Sequence, residues 1–330
     1  MGGLLSEASL PNQRRAESGF WHETALNILL FGKDGRIGWE LQRSLLPLGE
    51  LVAFGRKDAD PTGGDFTDLD AVIAVLRRVR PKVIVNAAAY TSVDKAESEP
   101  DIALAVNSVG PERLAIEAAA LGALFVHYST DCVFDGSGTE PWDEDCVPRP
   151  LNVYGKSKFE GEQRIRASGC PHLILRTSWI HAPRRDCFVR LMLQLAAERD
   201  SMEVVDDQFG APTGAALVAD ATAHAILSTL RRPELRGTYH CAASGFVSRY
   251  EYAKFAITTG RALGWPVRLK PGGLRPVGSD AFPSPARRPL NARLASGRFC
   301  DAFGLNLPDW RIGLQHTLGE LIEGQALARH

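Results

Sequence analysis

A chain of 330 residues, 45% of them hydrophobic, has the material for one large α/β domain or for a nucleotide-binding domain with a smaller second lobe. Its formal net charge of -1 speaks against a nucleic-acid-binding surface and against an acidic disordered tail, which leaves small-molecule chemistry. No apolar run approaches the ~20 residues of a membrane span, and Cys132, Cys146, Cys170, Cys187, Cys241 and Cys300 show neither a CxxC pair nor zinc spacing, so reduced thiols in a cytoplasmic protein are expected.

Residues 1–25 are mixed and polar and are expected to form a disordered extension in which Leu4-Leu5 and Phe20-Trp21 are able to dock locally. Asn27–Phe31 then reads as an apolar strand, Gly32-Lys33-Asp34-Gly35-Arg36-Ile37-Gly38 follows at once, and Trp39–Leu46 has helical apolar spacing. The glycines therefore lie at a strand-to-helix turn: Gly32 makes the turn, Gly35 admits a pyrophosphate to the backbone, and Gly38 allows close helix packing. Leu51–Phe54, Lys82–Ala87, Leu124–Tyr128 and His172–Arg176 predict further strands, with helices over Leu69–Val79 and roughly Ile102–Leu121. This alternation predicts an α/β fold with a Rossmann-type doubly wound parallel sheet over residues 26–180, binding its ligand outside the strands' carboxyl ends, where Gly32, Asn86, Thr130 and Trp179 fall. From Ile180 the alternation becomes irregular and proline-rich. Residues 181–330 are expected to form mainly a smaller C-terminal substrate-binding lobe, with some segments returning to the Rossmann core, a loop from Lys270 to Pro289 and a last helix from about Trp310 to Gly324.

Tyr154 and Lys158 stand four residues apart, on one face of a helix, and Ser129-Thr130-Asp131 ends the fourth strand. A phenol titrates ordinarily at about 10, and an ammonium beside it lowers that value. With a threonine hydroxyl holding the carbonyl oxygen as charge develops, the set suits proton transfer during hydride reduction of a carbonyl. The second strand ends Phe54-Gly55-Arg56-Lys57, and the first acidic residue after it, Asp58, comes too late to claim the adenosine ribose; Arg56 and Lys57 favour the 2′-phosphate of NADPH, with NADH accepted less well.

Several strings together resemble the extended short-chain dehydrogenase/reductases, and within them the dTDP-4-dehydrorhamnose reductase family. They are Asn27–Lys33, Val85–Thr91 with Val93–Glu97, Tyr128–Asp131 with Val133-Phe134, Pro150–Gly155, Arg176–Trp179, Asp207–Thr213 and Pro285–Pro289; the resemblance runs from Asn27 almost to the C-terminus. It implies catalysis by Thr130, Tyr154 and Lys158, with Tyr154 giving a proton to the C4 oxygen of dTDP-4-dehydro-L-rhamnose and Lys158 also bonding the nicotinamide ribose. Gly32, Lys33, Gly35, Arg36, Ile37 and Gly38 would line the pyrophosphate, Asp65 and Phe66 the adenine, and Ala87, Ala88 and Ala89 the close passage of the cofactor. Trp179 would pack on the deoxysugar, Thr91 and Val93 would flank the reacting ring, and Gln208 would touch the nucleotide. Arg287 would face the diphosphate with help from Asn291, while Arg288 would make an internal ion pair.

Two departures from the family pattern stand out. Cys132 replaces a usual tyrosine. Some homodimeric members hold magnesium through three interfacial glutamates, which Glu40 and Glu320 match while Ala216 does not; no metal is therefore expected, and the chain is expected to be a monomer or homodimer. Two other readings share this fold: a nucleotide-binding regulatory subunit like that of methionine adenosyltransferase, and a nucleotide-sugar epimerase or dehydratase, although a dehydratase would want an Asp-Glu pair where Asp131-Cys132 stands.

Overall fold

A computed structural model describes residues 26–56 and 64–327. The expected N-terminal extension, Lys57 and Asp58 lie outside the described residues. The chain runs β1 (Leu26–Phe31), α1 (Arg36–Leu45), β2 (Gly49–Phe54), α2 (Leu69–Val79), β3 (Val83–Asn86), α3 (Val93–Ala96) and α4 (Pro100–Leu104). A π-helical turn over Ala105–Val109 leads into α5 (Gly110–Leu121), then β4 (Leu124–Thr130), α6 (Val153–Ala167) and β5 (His172–Thr177). The remainder comprises β6 (Ile180–His181), α7 (Phe188–Glu198), β7 (Met202–Val205), β8 (Phe209–Gly210), β9 (Thr213–Gly214) and α8 (Ala215–Arg231). After these come β10 (Gly237–His240), β11 (Val247–Ser248), α9 (Arg249–Ala262), β12 (Leu274–Val277), β13 (Asn291–Ala292), α10 (Gly297–Phe303) and α11 (Trp310–Leu327).

The main sheet is six-stranded and parallel in the order β10-β5-β4-β3-β1-β2. Alternation along β1 explains its two cores. Ile28 and Leu30 join Leu41 and Leu45 of α1, residues of α8, and Phe299 and Phe303 of α10 on one face; Leu29 and Phe31 join α2 and α5 on the other. Covered on both faces, β3 and β4 are buried throughout, which is why they read as continuous apolar runs. The strand order reverses between β1 and β3, and there the segments leaving the two strands crowd: a Cβ at Gly32 would lie 2.4 Å from the Ala88 nitrogen. Gly32 also has φ +83°, which glycine adopts without the penalty of a side chain.

Among the described residues no helix is long and apolar enough to cross a membrane. The proline-rich stretch from 270 to 289 is less irregular than expected. Leu274–Val277 pairs in parallel with β7, because Met202 and Val204 present an apolar side that Leu269 and Leu274 cover.

Candidate active site

The glycine turn lies where the sequence put it, between β1 and α1. Gly32 and Lys33 donate their N–H groups to the Phe54 carbonyl, tying the turn to the end of β2. A Cβ at Gly38 would fall 2.0 Å from the Gly32 carbonyl oxygen, so the first turn of α1 rests directly on the loop. Gly35 is the N-cap of α1 and brings no side chain to its first-turn N–H groups; Gly35, Arg36 and Ile37 instead line a cleft of about 630 Å³. Arg36 donates to the Ile180 and Asp186 carbonyls, 3.2 and 3.1 Å, fastening the loop before α7 over the same cleft. The turn, the free helix terminus and a buried Thr177 hydroxyl with no partner among the described residues together fit a dinucleotide.

Ala87, Ala89 and Thr91 line this cleft, while Ala88 packs toward the α2–α5 core. Asn107, in the π turn, accepts from the Tyr90 N–H at 2.9 Å and donates to the Tyr90 carbonyl at 3.0 Å, so one amide sets the height of the alanine loop. Sequence reasoning missed Asn107, because a π turn leaves little trace in apolar periodicity. Phe66 is 3% exposed and sits edge-on to Phe31, 5.7 Å between centroids, making it a core residue; Asp65 accepts from the Thr67 backbone and hydroxyl. Arg56 is exposed just past β2. The carboxylate standing against Gly55 at that strand end is Asp34, reached from the glycine turn.

β4 and α6 bring Thr130, Tyr154 and Lys158 together at the cleft. Asn152 caps α6 by accepting from the Gly155 N–H at 2.8 Å and donates to the Arg287 carbonyl at 2.8 Å. A Cβ at Gly155 would lie 2.1 Å from the Cys132 carbonyl, so this glycine lets α6 approach the end of β4. Thr130 Oγ1 donates to Asp131 at 2.9 Å and accepts from the Cys132 N–H at 3.1 Å; Asp131 is held on its other oxygen by Ser178 at 2.6 Å. Burial raises the Asp131 carboxyl above the usual range, with the Ser178 and Thr130 hydroxyls opposing.

One expectation is corrected here. No ammonium lowers the Tyr154 phenol: it is pushed above its ordinary value, first by burial, then by nearby Cys132 and Asp131, with the Thr130 hydroxyl and Arg36 opposing. Lys158, 2% exposed, turns its Nζ to His127 Nε2 at 3.0 Å, and burial lowers it to about 7. The hydrogen bonds agree with that direction. Asn86 Oδ1 accepts from the Ala88 N–H at 3.1 Å, which can only donate; Asn86 Nδ2 therefore donates to His127 Nδ1 at 3.2 Å, and the proton of the neutral imidazole falls on Nε2, facing Lys158. A neutral amine accepts that proton's hydrogen bond; an ammonium has no lone pair to do so.

Beyond Tyr154 the cleft opens into a second cavity of about 590 Å³, to which Val93, Trp179, Gln208, Arg249 and Arg288 contribute. Trp179 borders both cavities. It follows β5 with φ +41°, and Gly210 lies so close that a Cβ there would meet the indole at 2.6 Å. Arg288 pairs with Asp94 at 2.7 Å, as the resemblance implied. Arg287 is exposed and borders a neighbouring surface hollow instead of either cavity, and buried Asn291 donates to the Ser137 and Glu140 carbonyls; the structure does not bring these two to the cleft. In their place it supplies Arg249, which the sequence reading did not single out.

Burial raises the Glu40 carboxyl and the nearby Glu320 adds to that, while Arg43 and Arg184 oppose it; among the described residues no group of three His, Cys, Asp or Glu side chains is arranged to hold a metal ion.

Residues 26–322 match the family model for the RmlD substrate binding domain. The dTDP-4-dehydrorhamnose reductase of Escherichia coli strain K12 is 48% identical over 302 residues, covering 92% of this chain and all of that protein. The crystal structure of the Bacillus anthracis dTDP-4-dehydrorhamnose reductase in complex with NADP superposes with a TM-score of 0.78 at 31% identity, covering 89% of this chain and 98% of that one. A Thermus thermophilus UDP-glucose 4-epimerase, 19% identical with a TM-score of 0.74 over 90% and 99% of the two chains, shares the fold. The chain belongs to the dTDP-4-dehydrorhamnose reductase family of the RmlD type.

Proposed function

We propose that this protein reduces dTDP-4-dehydro-β-L-rhamnose to dTDP-β-L-rhamnose, the last step of dTDP-L-rhamnose synthesis, with NADPH in the cytoplasm. The observation that carries the reading is the joining of the two cavities at Thr130, Tyr154 and Trp179, the carbonyl-protonating set standing between a dinucleotide cleft and a substrate cavity. Gly32, Gly35, Arg36, Ile37 and Gly38 would hold the cofactor pyrophosphate and Lys158 the nicotinamide ribose. The bound nicotinamide supplies the hydride. Tyr154 holds its proton at neutral pH, the more firmly because burial raises the phenol, and gives it to the substrate C4 oxygen; Thr130 would hold the same oxygen by turning its hydroxyl from Asp131. Lys158, one turn along and titrating near 7, would restore the proton from its ammonium form.

The test is direct. Purified protein with NADPH and dTDP-4-dehydro-L-rhamnose is expected to form dTDP-L-rhamnose in the presence of a chelator, since two carboxylates without a third at Ala216 leave no magnesium requirement. Cofactor binding without turnover would instead support a regulatory subunit. Preference for NADPH rests on Arg56, opposed at that strand end by Asp34. One charge-assisted phosphate contact contributes about 1.5–3 kcal/mol, so Arg56→Ala should lower kcat/KM for NADPH by roughly tenfold or more and leave NADH nearly unaffected. An equal loss for both cofactors would remove Arg56 from that role.

A further inference from the structure

Arg249, the first residue of α9, turns its guanidinium into the second cavity. Its central carbon lies 3.7 Å from the Trp179 ring centroid and 5.1 Å from that of Phe188, a packing that fixes the plane of the group and the direction of its donors. Among the described residues this guanidinium has no ion pair. Of the carboxylates lining this cavity, Asp94 is paired with Arg288 and held by Ser284, and Glu203 is paired with Arg275; Asp131 attracts the guanidinium at a distance, but its oxygens are hydrogen-bonded by Thr130 and Ser178. Burial lowers it to about 10; Tyr252 and Asp131 oppose that, and the charge of Arg288 across the cavity adds to it. A partly buried cation with no carboxylate in direct contact is costly unless an anion arrives with the ligand.

We propose that Arg249 is the anion-binding residue of the substrate cavity and takes the diphosphate of the nucleoside diphosphate sugar. The inference rests on the reductase reading given above and assigns within it the contact that Arg287 does not reach. A guanidinium offers two parallel N–H donors to a pair of phosphate oxygens, and here the fork is held ready by the indole. Trp179 borders both Arg249 and the reaction centre, so the same contact would also set how far the sugar enters.

The experiment is calorimetric titration of the NADP-loaded protein with dTDP and, separately, with thymidine. Arg249→Gln is expected to weaken dTDP binding by about tenfold or more, with thymidine and NADP affinities held within about twofold; Arg249→Lys, which keeps the charge and loses the fork, should fall between. Arg287→Gln should bind dTDP like the parent. Unchanged dTDP affinity in Arg249→Gln would overturn the assignment while leaving the reductase reading intact. So would equal losses for dTDP and thymidine, which would make Arg249 a brace for Trp179. A parent that binds neither nucleotide nor sugar nucleotide and shows no turnover would overturn both readings.

Discussion

Tyr154 and Lys158 separate two duties that a sequence motif runs together. The phenol is raised by burial and stays protonated at working pH, whereas the amine is lowered to about 7 and shares a hydrogen bond with His127. Tyr154→Phe should therefore lower kcat by roughly 10² to 10⁴ with NADPH affinity nearly unchanged, as loss of a positioned general acid does. Lys158→Met should harm turnover and NADPH binding together; stopped-flow turnover and cofactor titration of both variants decide the matter. The buried amine also has a stability signature. Its folded value lies below its ordinary one, so the native state binds the proton less well than the unfolded chain: the cost is fully present below about pH 7 and fades as pH rises toward the ordinary lysine value of 10.5. The Tm of the parent relative to Lys158→Met should rise through that window, and a flat difference would show that the amine is not depressed.

At the scale of elements, the cleft depends on contacts only glycine allows. Gly38→Ala would place a methyl carbon 2.0 Å from the Gly32 carbonyl, and neither backbone can yield without moving the turn, so NADPH affinity should drop by roughly tenfold or more while the fold survives. Equilibrium cofactor titration with circular dichroism as the fold control checks this. The sheet and the glycine turn were legible because buried parallel strands write long apolar runs and their βα turns write glycines; α2 fell on the expected residues, and β4 ran on past Tyr128 to include Thr130. The substrate side was less legible. Val247-Ser248 and Asn291-Ala292 are two-residue strands with no period to read, and Arg249 stands on a helix whose polar spacing says nothing of a cavity. Arg287 and Asn291 were singled out through a motif whose main-chain contacts, such as Asn152 to the Arg287 carbonyl, give the segment a structural reason to keep its sequence.

Across the whole molecule, one buried ion pair fixes the catalytic helix to the sheet. Glu162 of α6 receives both Arg176 donors, at 2.9 and 2.7 Å, from the end of β5, with both side chains almost wholly buried, and Arg176 extends to His240 of β10. Removing one partner strands the other, so Glu162→Gln should cost about 3–5 kcal/mol by urea unfolding. The pair lowers the Glu162 carboxyl; its contribution is present above the ordinary value of about 4.5 and is lost as pH falls through the lower native value, a slope the variant should lack. β10 itself has a further consequence. It is the edge strand beside β5, yet it comes from residues 237–240, some sixty positions later in the chain. At a synthesis rate of about 5–20 residues per second, a nascent chain holds β5 unpaired on that side for several seconds after making it. Leu173 and Leu175 are then without Tyr239 beside them, and an apolar strand edge is open to another chain. The sheet of the nucleotide-binding half thus waits on residues 237–240 for its last strand, long after its glycine turn and catalytic helix have been made.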